Sequence, residues 1–379
     1  MKILHITPAF KPAYIYGGPT MSVAALCESL TVAGHYIEVF TTTANGVTEL
    51  DVHSNKPVTI DGVMTWYFKR VTKDHTHFSP ALLKAVWNRA HEFDVIHIHS
   101  WWNLVALLSC ILALCRKKAV VVSPRGMLSN YSFTNNNVSS KGIFHKLIGK
   151  KLLQCCHLHL TSKNEKQTVT ALVKPKTINI LPNFVTLSDN IDHGTKTFKP
   201  EIELLYFSRI EAKKGLDILL HALTHVSVPY HLTIAGHGEP DYIAELKNIA
   251  ISNETDKNIT WTGFYGNEKF NLLRTHDLLV LPSHNENFGN VVIESLSVGT
   301  AVLVSENVGL SDYVEEKQFG WICRAEPVAI GKVITSIWQQ CKPDLERIAQ
   351  LAPDVIINDF TGSSLTKQYS QFYEQILQK

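Results

Sequence analysis

Residues 2–42 read KILHITPAFKPAYIYGGPTMSVAALCESLTVAGHYIEVFTT. The apolar run KILHIT (2–7) has the length and composition of a buried strand. A loop follows, with Pro8, Pro12 and the pair Gly17–Gly18. Apolar residues then recur at helical spacing from about Met21 to Ala33, and Gly34 ends the run. YIEVFTT (36–42) is a second strand. Strand, loop, helix, strand is the opening of a parallel, doubly wound α/β sheet.

The alternation continues. VIHIHS (95–100) and AVVVSP (119–124) are strands flanking an apolar helix at 102–115. LHLTS (158–162) and TINILPN (177–183) close the first half, and 184–200 is an interdomain linker. A second unit begins at ELLYFSR (203–209) and runs through HLTIAG (231–236), NITWTG (258–263), DLLVLPS (277–283) and TAVLVSE (300–306), with helical segments between. Two parallel sheets of similar size are expected to face each other across a cleft. The last helix, about 363–378, carries Leu365, Tyr369, Phe372, Tyr373 and Ile376 on one face and packs on one of the two units.

The chain has 379 residues, 45% hydrophobic and 18% charged, with a formal net charge of +2. Residues 1–188 hold 20 Lys+Arg against 9 Asp+Glu, a net of +11; the remainder holds 16 against 25, a net of −9. A basic first half suits an anionic partner such as a lipid phosphate or membrane surface. The seven cysteines include no CxxC, which argues for a reducing cytoplasm over disulfides or a zinc site. The first residues read as a strand, not a signal peptide, and the longest apolar stretch, 104–115, is too short to span a bilayer. A cytoplasmic protein is expected, with no nucleic-acid partner.

Polar and glycine-rich residues collect at the carboxyl ends of the strands, where a doubly wound sheet keeps its ligand. Gly17–Gly18 follow the first strand, His97 and His99 end another, and Arg125–Gly126 follow a third. Arg209, Lys213, Lys214 and Gly215, then Gly236 and Gly238, then HNENFGNVVIESL (284–296) do the same in the second half. Arg209 and Lys214 can neutralise a diphosphate. Phe288–Gly289–Asn290 opens a helix whose N–H groups attract phosphate. Glu294 suits a ribose diol and Glu286 a sugar hydroxyl, because a carboxylate accepts from hydroxyls. The two histidines of 95–100 are assigned to opposite faces of their strand, with His99 reaching toward the ligand. No GxSxG, GxxxxGK[ST] or HExxH occurs, and no GxGxxG follows the first strand. Serine-hydrolase, P-loop, zincin and nicotinamide readings therefore fall.

These segments resemble a known family, the retaining GT-B-fold glycosyltransferases of family 4. Glu286-NFGNVVI-Glu294 is similar to its E-x7-E motif, and FSRIEAKKGLDILLHAL (207–223) to its R-x4-K-G element. IAGHGE (234–239) resembles its glycine turn, and residues 16–41 resemble its Gly-Gly loop and first helix. The resemblance implies a GT-B fold, with domains 1–186 plus 360–379 (acceptor side) and 187–359 (donor side), the last helix crossing back. It implies transfer of a sugar from a nucleotide-diphosphate sugar with retention and no required metal; a UDP-sugar donor and a saccharide acceptor are expected, though the resemblance does not specify the base. It casts Glu286, Arg209 and Lys214 in the catalytic role. Gly17, Gly18, Glu294, Phe288, Gly289, Asn290, Gly236 and His237 become donor-binding, and His99 and Arg125 face the acceptor or sugar. Two departures stand out. Arg125 replaces a common histidine and cannot act as a base, and Phe184 follows Asn183 where glycine is frequent. Residues 139–157 alternate lysines and apolar residues at helical spacing, as a helix lying on anionic lipid does. A lipid-linked acceptor in bacterial surface polysaccharide assembly is the expected partner. A sugar-nucleotide epimerase and a non-catalytic subunit of the same fold are the alternatives.

Overall fold

The computed structural model describes residues 1–129, 148–187, 196–263, 265 and 268–378. It comprises two units, Met1–Thr186 with Thr361–Lys379, and Leu187–Phe360.

Unit 1 holds strands β1 (Lys2–Ile6), β2 (Tyr36–Thr42), β3 (Ala44–Asn45), β4 (Thr48–Glu49), β5 (Pro57–Ile60), β6 (Val63–Phe68), β7 (Val95–His99), β8 (Ala119–Ser123), β9 (His157–Leu160) and β10 (Thr177–Ile180). Its helices are α1 (Gly18–Val32), α2 (Pro80–Arg89), α3 (Leu104–Cys115), α4 (Lys150–Gln154) and α5 (Lys163–Leu172). Eight of the strands form one sheet in the order β10-β9-β8-β7-β1-β2-β6-β5. Every pair is parallel except β5 with β6. That antiparallel hairpin corrects the expectation of a purely parallel sheet. Its turn is Asp61–Gly62, both at positive φ (47° and 81°), and Asp-Gly between strand-forming runs is a legible hairpin signal.

Both faces of a parallel sheet must be covered. On one face Leu4, Ile6, Ile96, Ile98, Val120 and Val122 pack with Leu82 and Val86 of α2 and Val105 and Cys110 of α3. On the other, Ile3, Val95 and Val121 pack under Val23 and Leu30 of α1. Leu365, Tyr369, Phe372 and Tyr373 of the last helix join that second cluster.

Unit 2 holds β11 (Ile202–Phe207), β12 (Tyr230–Ala235), β13 (Ile259–Gly263), β14 (Leu278–Leu281), β15 (Ala301–Ser305) and β16 (Gly320–Cys323). Its helices are α6 (Leu216–Ala222), α7 (Pro240–Ser252), α8 (Lys269–Arg274), α9 (Asn290–Ser297), α10 (Ser311–Lys317), α11 (Pro327–Gln340) and α12 (Lys342–Phe360). The sheet order is β13-β12-β11-β14-β15-β16, all parallel. This is the 3-2-1-4-5-6 order, in which the crossover direction reverses between β11 and β14. Phe360 ends α12 and stays in unit 2, one residue from the expected boundary. The chain then returns to unit 1 as α13 (Gly362–Leu377).

Some boundaries differ from the sequence reading. Helix α1 begins at Gly18, earlier than Met21, because Gly17 turns the chain at φ 65° and Pro19 suits a first helical turn. Of the lysine-rich segment, 139–147 lies outside the described residues. Its end is short: α4 stops at Gln154, and His157 already belongs to β9. Among the described residues no helix is long and apolar enough to cross a membrane.

Helix α13 is pinned by polar as well as apolar contacts. The Tyr373 hydroxyl lies 2.7 Å from His97 Nδ1, and the Tyr369 hydroxyl donates to the Pro182 carbonyl at 2.9 Å. Removing the buried hydroxyl leaves His97 short of a partner, so Tyr373→Phe should cost about 1–3 kcal/mol. Chemical denaturation of the variant measures this; a midpoint equal to that of the parent would show that the bond adds nothing.

Candidate active site

In unit 2 the polar residues gather where β11 and β14 lie side by side and the winding reverses. The turn after β11 is a short 3-10 segment, Ala212–Lys214, ended by Gly215 at φ 70°. A Cβ on Gly215 would stand 2.2 Å from the Pro282 carbonyl oxygen. The missing side chain lets this turn press against the carboxyl end of β14. The His284 N–H also donates to the Lys213 carbonyl at 2.9 Å. As a result Lys214, itself buried, forms an ion pair with Glu286. The Glu286 backbone is held in turn: its N–H donates to the Asn307 carbonyl at 3.2 Å, and its carbonyl accepts from Gly309 N–H at 2.8 Å. That loop after β15 is a site component the sequence reading did not include.

Arg209 lies beside Lys214 in sequence but has a different partner. Its Nη1 is 2.7 Å from Glu211, whose other oxygen is 2.9 Å from Lys213 Nζ. Burial pushes the Glu211 carboxyl up. The hydrogen bond from Lys213 and the Arg209 charge outweigh this, and the group titrates below its ordinary value. Arg209 remains 45% exposed, so its fork is accessible to an anion.

Gly236 and His237 follow β12. A Cβ on Gly236 would fall 1.9 Å from the Ser208 carbonyl oxygen, so glycine alone lets this turn lie against the chain just before Arg209. His237 is exposed, and its carbonyl accepts from Ile210 N–H at 2.8 Å. Gly289 caps α9, which begins at Asn290 with no acidic residue in its first turn. Phe288 is the exception among the expected donor contacts. Its ring is buried, 6.1 Å from the Phe360 ring, so only its backbone is available to a ligand. Glu294 lies in the second turn of α9 and pairs with Lys269 at the start of α8, 2.8 Å away. No motif pointed to Lys269.

In unit 1, Gly17 and Gly18 lie at the start of α1, and among the described residues nothing stands within 4 Å of a Cβ built on Gly17. Arg125 follows β8 at φ 52°. Its Nη1 donates to Ser22 Oγ of α1 (2.8 Å) and to Asn183 Oδ1 (3.0 Å), while Nε and Nη2 approach His99 Nδ1 at 3.4 Å. Burial pushes the guanidinium down from its ordinary value, yet an arginine remains a cation.

The opposite-face assignment of His97 and His99 is wrong. Residues two apart on a strand share a face, and these rings are 4.2 Å apart. His5 joins them, in register with His97 and stacked 5.2 Å from His99. His159 of β9 completes the layer under α13.

The hydrogen bonds fix every tautomer. Leu181 O accepts from His159 Nε2–H (3.0 Å), so His159 Nδ1 must accept from Ser123 Oγ–H (2.6 Å). Ser123 Oγ then accepts from His97 Nε2–H (2.6 Å), and His97 Nδ1 accepts from Tyr373. Arg125 similarly makes His99 Nδ1 an acceptor, so His99 Nε2–H donates to His5 Nδ1 at 2.9 Å. That second chain ends at His5 Nε2, buried with no partner among the described residues. Nitrogens of His5, His97 and His99 lie within 4.8 Å of one another. The set suits a metal poorly: a ligating His99 Nε2 would require a proton on Nδ1, where Arg125 already donates.

The first half of the chain, residues 16–189, matches the model for Glycosyltransferase Family 4, and residues 188–352 match that for Glycosyl transferases group 1. The chain is 25% identical to a glycogen synthase of Mycobacterium tuberculosis over 98% of this chain and 94% of the relative. It is 22% identical to the O-antigen biosynthesis glycosyltransferase WclY of Escherichia coli, over 76% and 80%. Its fold is similar to that of Anabaena HepE, solved in complex with UDP-glucose, with a TM-score of 0.74, 19% identity and coverage of 99% and 100%. The protein is a glycosyltransferase of the GT-B fold. Its two halves carry the family 4 and group 1 sequence patterns respectively.

Burial, reinforced by neighbouring positive charge, lowers the His5 and His159 pKa values to about 3 and those of His97 and His99 well below ordinary. These side chains stay neutral in the folded state while the unfolded chain takes up protons below about pH 6.5. Stability should therefore fall as pH drops below 6.5, by up to about 1.4 kcal/mol per pH unit for each of the four. Urea titrations at pH 7.0, 6.0 and 5.5 read the slope. A flat profile would contradict neutral burial.

Proposed function

We propose that the protein transfers a sugar from a UDP-sugar to a hydroxyl of a saccharide acceptor, with retention of anomeric configuration. The observation that carries this reading is the set of Lys214–Glu286, Lys269–Glu294, Arg209 and the start of α9 within unit 2, at or beside the switch between β11 and β14. Arg209 and Lys214 neutralise the diphosphate, the arginine as a planar fork and the lysine as a point charge. An ammonium has three protons, so Lys214 can keep Glu286 and still reach a phosphate oxygen. Glu286 then accepts from a donor-sugar hydroxyl, and Glu294 from the ribose.

In the reaction the bond from the anomeric carbon to the β-phosphate oxygen breaks, and its electron pair stays on phosphate. The acceptor oxygen bonds to the same carbon on the same face, and its proton passes to the leaving phosphate. Positive charge fixed at that phosphate stabilises the transition state, the work a metal does in other sites. Transfer is therefore expected to proceed in chelator. In unit 1, Arg125 is assigned to the acceptor or sugar side, where it positions or binds an anionic group and does not accept a proton. The expected reach of His99 toward the ligand is corrected, because its ring is buried and both nitrogens are engaged, Nδ1 by Arg125 and Nε2 by His5.

The acceptor class follows from the excess of basic residues in 1–188 and the lysine-rich segment 139–157. A lipid-linked saccharide in surface polysaccharide assembly, met at the inner face of the cytoplasmic membrane, suits both. The similarity to WclY points the same way.

Arg209→Ala and Glu294→Ala should each weaken UDP binding by about tenfold or more. For the parent, UDP at a hundred times its Kd should add about 2.7 kcal/mol of stability in a thermal-shift series. If both variants bind UDP as tightly as the parent, the donor site is elsewhere. Conversion of the UDP-sugar to an epimer without acceptor would favour the epimerase reading instead.

A further inference from the structure

We infer that Lys269 is a positioning residue for the donor nucleoside, acting through Glu294; this rests on the reading of Glu294 as the ribose acceptor. Among the described residues the Glu294 carboxylate has one partner, Lys269, whose Nζ stands 2.8 Å from Oε1. The other oxygen, Oε2, is left to accept from a ribose hydroxyl. Both side chains are largely covered, Lys269 at 28% and Glu294 at 13% exposure.

Two physical consequences follow. A lone carboxylate rotates and offers either oxygen; one oxygen held by an ammonium fixes the plane of the group, so the hydroxyl meets an oriented acceptor. The second consequence is electrostatic. A ribose bound at Glu294 carries a diphosphate on its 5′ side, and an uncompensated carboxylate there would repel it. Lys269 cancels that charge locally, as Lys214 does for Glu286. Each acid of the pair thus has its own lysine. Lys214 comes with the turn after β11, whereas Lys269 comes from α8, which packs beside α9.

The two consequences separate by probe. Orientation should affect uridine, UMP and UDP alike, whereas charge compensation should affect UDP most. Lys269→Met should weaken UDP binding about 5- to 20-fold, measured by calorimetry, and should weaken uridine binding less. In transfer assays the donor KM should rise while kcat changes little. Lys269→Arg should restore most of the affinity. In a Glu294→Gln background the neutral amide needs no counter-ion, so Lys269→Met should add almost no further loss. Circular dichroism and the thermal midpoint of each variant check that it is folded.

Unchanged UDP affinity in Lys269→Met, or an equal loss in the Glu294→Gln background, overturns the inference. The proposed function fails in a distinguishable way: Glu294→Gln by itself would leave UDP binding unchanged.

Discussion

The ion pair between Lys214 and Glu286 joins two side chains 72 residues apart. They meet because β11 and β14 are sheet neighbours and because Gly215 carries no side chain between its turn and Pro282. An unpaired charge as covered as Lys214 would be costly, and Glu286 removes that cost while keeping protons and lone pairs for a ligand. Arg209, the Gly236 turn and the start of α9 are arranged around this contact. The 3-2-1-4-5-6 order supplies the crevice, and the lysine–glutamate pair gives it a defined polarity.

Unit 1 meets a different constraint. Its switch lies between β1 and β7, and the strand ends there carry His5, His97 and His99 in place of aliphatic residues. Imidazoles fit under α13 only when neutral and hydrogen-bonded. Tyr373 and Leu181 fix one chain of tautomers and Arg125 the other. This gives Arg125 a structural role that a histidine at its position could not fill in the same way: as a permanent donor it determines which nitrogen of His99 carries the proton. The same guanidinium reaches Ser22 of α1 and Asn183 beyond β10, so it also ties the Gly17–Gly18 helix to the end of the sheet.

Much of this was legible beforehand. Strand and helix alternation gave the two sheets, and polar clusters at strand ends located Arg209, Lys214, Glu286 and Glu294. The Asp61–Gly62 hairpin was legible too, and a uniform parallel expectation passed over it. The histidine error came from misapplying a period of two, since alternation separates neighbours and brings i and i+2 together. Phe288 was grouped with its polar neighbours, although its ring belongs to the core around Phe360. Lys269 had no local signal at all: a lysine at a helix start looks like any solvated charge.

The sequence by itself determined the strand and helix order, the doubly wound class and which loops carry polar residues, because periodicity and turn chemistry are local properties. Only the tertiary structure decided which charges pair. Lys214 took Glu286, Lys269 took Glu294 and Arg209 took Glu211, and the proton positions in the histidine layer followed from neighbours on other strands and on α13. Coulomb interactions and hydrogen bonds act over a few ångströms of space, and sequence distance has no bearing on them once the sheet is assembled.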